Sequence, residues 1–221
     1  MASPTENIKR VLSRADDIDW REGLIAYNSY NETMRGLADY YDYDLKQVAA
    51  VFAALSPNND YIKNLRSCVT LLKGHRAGMP VESLTTTSYR SCQLRAWRVL
   101  NGEDFLSFTK GKKTRNFYEL IIDPEHPTAI TIDGHMVSIY TGKRITMLKA
   151  KLLNMKYDDL ALDYRQVAFG EFLRPSQLQA ILWFVWKRIN KIVYAGNWNL
   201  FDNSDCWKMR WQPEDIKPYY I

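Results

Sequence analysis

Apolar positions recur every three or four residues along most of the chain, the spacing of helices with one buried face. Ile8, Val11 and Leu12 share such a face on a first helix that Ser3 or Thr5 can cap. A second helix is expected over about 20–40. Asp44 then caps a run in which Val48, Val51, Phe52 and Leu55 repeat at helical spacing. Ser-Pro-Asn-Asn-Asp at 56–60 breaks that helix and starts another, which Gly74 is expected to end. After a loop through Gly78 and Pro80, a helix from about Thr85 should stop at Gly102. Residues 105–121 read as a short helix, a tight turn at Thr109–Gly111 and a second helix. The β-branched stretch at 130–139 has strand-like composition, but no partner strand is visible, so a helix opening at about Asp133 is expected instead. Two more amphipathic helices follow, over 163–173 and from Pro175 onward with Ser176 as cap. From Tyr194 the period is lost and an irregular tail is expected. The pattern predicts an all-α fold.

Composition narrows the class. Hydrophobic residues are 46% and charged residues 25% of 221, the balance of a chain with a packed core rather than a disordered or repetitive one. The longest apolar run, Ala180–Trp186, is too short to span a bilayer, and the first residues lack the apolar core of a secretory signal. Cys68, Cys92 and Cys206 are scattered, which argues against a disulfide framework and against zinc or iron–sulfur ligation. Reduced thiols in a cytoplasm, of a bacterium or a phage-infected host, no metal or other cofactor, and a monomer are the expectations. Lys and Arg total 30 against 25 Asp and Glu, a net charge of +5 that suits a polyanionic partner without requiring one.

The chemistry concentrates between Leu106 and Tyr140. Gly-Lys-Lys-Thr at 111–114 opens a helix, and Asp133 stands twenty residues beyond Lys113. A helix and a short loop fill such a gap and can bring both side chains to one cleft. The string Ser-Phe-Thr-Lys-Gly-Lys-Lys-Thr at 107–114, then Ile-Asp-Gly-His at 132–135, resembles the hairpin and aspartate motifs of the helix-hairpin-helix (HhH-GPD) DNA glycosylase superfamily. Ala-Leu-Ser-Pro-Asn-Asn-Asp at 54–60 resembles that family's segment inserting a polar side chain into the DNA stack. These landmarks cover roughly residues 45–145, and the stretch 175–186 is similar to phage-encoded members.

The resemblance implies a two-lobed helical fold with a cleft between the lobes. Residues of about 45–145 would form the central lobe, and 1–44 with 146–221 the second. It implies a flipped base excised from double-stranded DNA, with or without AP-lyase activity. Lys113 matches the Schiff-base lysine, Asp133 the family's aspartate, and Asn58 the inserted polar residue. Asn59, Thr109, Lys110, Gly111, Lys112 and Thr114 fall in the DNA-gripping segments, and His135 beside the aspartate. The chain departs from the pattern at Thr109 and Lys110, where the family has a glycine and an apolar residue, and at Ser138, where it has an arginine. Two alternatives stay open: a phage enzyme that modifies DNA bases on the same fold, and a non-catalytic DNA-binding module.

The residues themselves suit that chemistry. Breaking an N-glycosidic bond leaves a cation-like sugar that a carboxylate steadies or a nucleophile captures. An amine can form a Schiff base at C1′, and extruding the base needs phosphate grip and a wedge. Each residue also has a plainer reading: Lys113 as a phosphate contact, Asp133 as a helix cap, Asn58 as a turn former, His135 as a packed ring. Trp183 and Trp186 read as core; Trp198, Trp207 and Trp211 could close over a base or staple the tail.

Overall fold

The computed structural model describes residues 2–152 and 154–190. Trp198, Cys206, Trp207, Trp211 and the expected tail lie outside the described residues. Among those described, eleven α-helices follow one another and no strand occurs: α1 (Pro4–Leu12), α2 (Asp17–Tyr41), α3 (Leu45–Leu55), α4 (Tyr61–Arg76), α5 (Arg90–Leu100), α6 (Phe105–Phe108), α7 (Lys112–Ile122), α8 (Gly134–Thr141), α9 (Met147–Leu152), α10 (Tyr157–Gly170) and α11 (Pro175–Ile189). The all-α expectation holds. None of the described helices is long and apolar enough to cross a membrane.

The chain divides into two compact units. Among the described residues, one takes those up to Asn28 together with 123–190, and the other runs from Ser29 to Ile122. The sequence had placed boundaries near 45 and 145. In the 29–122 unit α3 is the central element: every residue from Val48 to Leu55 is buried, so the helix is apolar all round rather than on one face. Its Phe52 ring meets Tyr30, Tyr61 and Phe117 at centroid distances of 5.9, 6.0 and 6.0 Å.

The discontinuous unit has its own core, in which Ile8 of α1 packs with Met136, Tyr164, Leu178 and Ile181. A Cβ on Gly23 would sit 2.3 Å from Ile181, so α2 and α11 touch backbone to side chain there. Asn7 of α1 donates through Nδ2 to Tyr140 O (3.1 Å) at the end of α8. The turn that follows needs left-handed Gly142 (φ 66°), where a Cβ would also meet Asn7 at 2.9 Å.

Several boundaries differ from expectation for identifiable reasons. The Asp16 carboxylate accepts from Ile18 N and Asp19 N (both 3.0 Å), starting α2 earlier than expected. Gly74 does not end α4; a Cβ there would meet Leu84 at 2.5 Å, so the glycine serves packing, and the left-handed residue is Gly78. The segment from Thr85 is not helical, because Thr87 and Ser88 bond Ser67 Oγ, Asn59 and Leu55 O instead. Arg174, not Ser176, precedes α11; Ser176 is buried inside the helix. Helix α9 carries no expectation from the sequence. The stretch 130–132 belongs to no helix or strand, and its backbone pairs with a side chain: Tyr157 Oη accepts from Ile132 N (3.0 Å) and donates to Ile130 O (2.6 Å).

Candidate active site

The hairpin lies in the 29–122 unit. Asp104 caps α6 by accepting from Leu106 N (3.3 Å), and Thr109 N closes that short helix onto Phe105 O (3.1 Å). Thr109, Lys110 and Gly111 link α6 to α7 without forming the expected tight turn. Arg115 N donates to Gly111 O (3.1 Å), the first bond of α7, so Gly111 occupies the cap position with no side chain to satisfy the first-turn amides. A Cβ on Gly111 would find only Thr114 Oγ1, at 3.9 Å. The backbone is therefore open to close approach, and such a helix start favours anions.

Lys110 and Lys112 are exposed; Lys113 and Thr114 are half-buried. Thr109 is 3% exposed, and its hydroxyl has no hydrogen-bond partner among the described residues. Its N–H is already used within α6, so any contact it makes with a phosphate has to come through neighbouring backbone.

The loop between α3 and α4 separates its two asparagines by role. Asn58 is exposed and left-handed (φ 57°), a conformation asparagine tolerates better than most residues. Its Nδ2 donates to Tyr89 Oη at 2.7 Å. Asn59 is a clamp: Nδ2 donates to Ser88 Oγ (3.1 Å) and Oδ1 accepts from Thr87 Oγ1 (3.0 Å).

Asp133 lies in the other unit, at the N-cap of α8. Its Oδ1 accepts from His135 N and Met136 N, both at 2.9 Å. Its Oδ2 has no hydrogen bond among the described residues, and the side chain is half-exposed. The carboxylate is thus aimed by one oxygen and available through the other.

The surroundings hold it in place on both sides. Upstream, Tyr27 Oη lies 3.1 Å from Thr131 Oγ1 and 2.6 Å from Gln179 Oε1, a buried trio spanning α2, the 130–132 stretch and α11. Downstream, fully buried Tyr164 donates to Met136 O (2.7 Å). Burial, and next the charge of Asp133, push that phenol well above its ordinary value, so it stays a donor. Ser138 donates to Gly134 O (2.8 Å) and accepts from Ile145 N (3.1 Å), which ties α8 to the loop after it.

His135 meets Trp183 edge-on, with centroids 6.4 Å apart. The Nζ of buried Lys187 sits 3.7 Å over the Trp183 ring. Trp186 is core, whereas Trp183 is only half-buried. Gln179, Trp183 and Lys187 recur every fourth residue on α11; a glutamine and a lysine on an otherwise apolar face were the signal that sequence reading passed over. Among the described residues no group of three or more His, Cys, Asp or Glu could hold a metal. Cys68 and Cys92 are free and buried.

Fold and site together define an all-helical protein with a carboxylate fixed at a helix N-terminus in one unit and a lysine in the first turn of a glycine-opened helix in the other. Residues 1–190 match a family of unknown function, DUF7178, and the chain belongs to that family. No curated protein and no solved structure matches it.

Proposed function

We propose that the protein is a DNA N-glycosylase of the helix-hairpin-helix type, acting as a monomer in the cytoplasm on double-stranded DNA. The observation that carries this reading is the state of Asp133: one oxygen bound to two amides, the other without a hydrogen bond among the described residues. A carboxylate so held suits charge that develops on a sugar, because its orientation costs nothing at the moment of reaction. The hairpin adds support, since Gly111 precedes α7 with no side chain of its own over the first-turn amides and Lys110 and Lys112 are exposed on either side of it.

In the reaction the target base is extruded from the stack. The bond between C1′ and the base nitrogen breaks, its electron pair leaves with the base, and the base takes up a proton. Asp133 faces the positive charge left on the sugar. Lys113 Nζ, neutral when it attacks, forms the new bond to C1′ and gives a Schiff base after ring opening. Asn58, at an exposed loop apex, fills the gap that the base leaves.

The test is incubation of the full chain with duplexes carrying single damaged or modified bases, followed by alkali and electrophoresis. Strand breaks at the altered base are expected. A mass gain on the base without its release would instead establish a modifying enzyme. Tight DNA binding with neither change across the panel would leave a binding module.

A further inference from the structure

Beyond α8 the chain carries two features that the excision chemistry does not use. From Gly134 to Tyr157 it holds Lys143, Arg144, Lys149, Lys151 and Lys156 and no aspartate or glutamate. All five side chains are exposed. None is ion-paired among the described residues, whereas Arg76, Arg90, Arg98, Arg174 and Arg188 each face a carboxylate. Most of the arginines with structural roles are thus neutralised locally, and this segment's charge is left for something outside the chain.

The second feature is a cavity of about 490 Å³ in the same segment, within the size range of ligand pockets. Its walls include Ile132, Val137, Met147, Met155 and Tyr157, with Lys151 and Asn154 as the polar members. Tyr157 Oη is committed to the 130–132 backbone, so the phenol ring, not its hydroxyl, is what remains for an occupant. Thioethers and an aromatic ring favour the face of a flat π-system. An amide and an ammonium suit its polar edge.

The cavity adjoins the chain on both sides of Asp133. Ile132 precedes Asp133, and a Cβ on Gly134 would lie 3.6 Å from Met147 Cγ.

We propose that residues 143–156 form a nucleic-acid contact in which the cavity receives one unstacked base while the surrounding cations hold the phosphates on either side. This rests on the DNA reading above and names where its substrate nucleotide sits. Charge complementarity selects the occupant. An anionic lipid surface would also meet the cations, but its acyl chains would leave Lys151 and Asn154 at the cavity without polar partners, whereas the edge of a base supplies them.

The test uses the full chain and a duplex whose central mismatched base is 4-thiothymine, a photocrosslinking probe. Irradiation is expected to attach the base to the peptide 147–157. In parallel, Lys149→Ala with Lys151→Ala should reduce the slope of log affinity against log salt by about 2, one per lost phosphate contact. The crosslink is read on the unaltered chain and so does not depend on any variant folding. Salt-dependent binding with crosslinks elsewhere and an unchanged slope overturns this inference and leaves the excision reading standing. Absence of salt-dependent DNA binding overturns both. Binding to phosphatidylserine vesicles that the double variant loses, in a chain that ignores DNA, also overturns both.

Discussion

Asp133 has two jobs that one pair of substitutions can separate. Asparagine keeps an oxygen in the place of Oδ1, so the bonds from His135 N and Met136 N survive. What it loses is the negative charge at a helix N-terminus, worth about 0.3–1 kcal/mol. Alanine loses both bonds and frees two amides, a cost of about 1–2 kcal/mol. In a chain of this length 1 kcal/mol moves Tm by about 2–4 °C. Asp133→Asn should therefore melt within a few degrees of the parent, and Asp133→Ala lower still.

Turnover should not follow that order. Both variants lack the charge that faces the developing sugar cation. Losing one preorganised electrostatic partner costs about 3–4 kcal/mol, or two to three decades in rate. Single-turnover base release, with thermal melts on the same samples, measures both quantities. If the rate loss instead tracks stability, with Asn near the parent and Ala far below, Asp133 is only a cap and the excision mechanism loses its centre.

Other outcomes are equally definite. Borohydride added during turnover should trap a protein–DNA adduct that Lys113→Gln no longer forms; continued base release by that variant, with no adduct from the parent, makes water the nucleophile. Lys110→Ala and Lys112→Ala should weaken binding to all duplex sequences alike, each lowering the salt slope by about 1 in a filter-binding titration. Arg188 pairs with Asp19, which is 5% exposed, and also donates to Arg14 O (2.7 Å). Because the guanidinium is itself half-exposed, Arg188→Ala should cost about 1–3 kcal/mol by denaturant titration, less than a fully buried pair. Loss of less than about 0.5 kcal/mol would show that Asp19 finds water instead.

The helices were legible where periodicity and caps agreed. Asp44 and Asp133 act as the caps their positions suggested, accepting from Gln47 N and from His135 N and Met136 N. Elements set by tertiary partners were not legible. Gly74 looked like a stop signal, but its meaning lies in Leu84, and the Thr85–Tyr89 stretch looked helical until Ser67 and Asn59 claimed its polar groups. For the same reason the support around Asp133 was invisible: Tyr27, Tyr157 and Gln179 are far from it in sequence and reach it through side-chain hydroxyls and an amide. The motif named the candidate carboxylate, but nothing local could show that one of its oxygens has no hydrogen bond among the described residues.

The interrupted course of one unit carries a consequence for synthesis. Helix α1 presents Ile8, Val11 and Leu12, and its Asn7 bonds Tyr140, 133 residues later. On the ribosome those apolar side chains emerge long before α8, α10 and α11 exist to cover them. The described residues of the other unit, Ser29–Ile122, are made before these helices and can pack on one another while the leading helix is still waiting. Helices α8, α10 and α11 then have to capture the first, a long-range step that sets the pace of maturation and leaves α1 as the segment a chaperone or a protease meets in the interval.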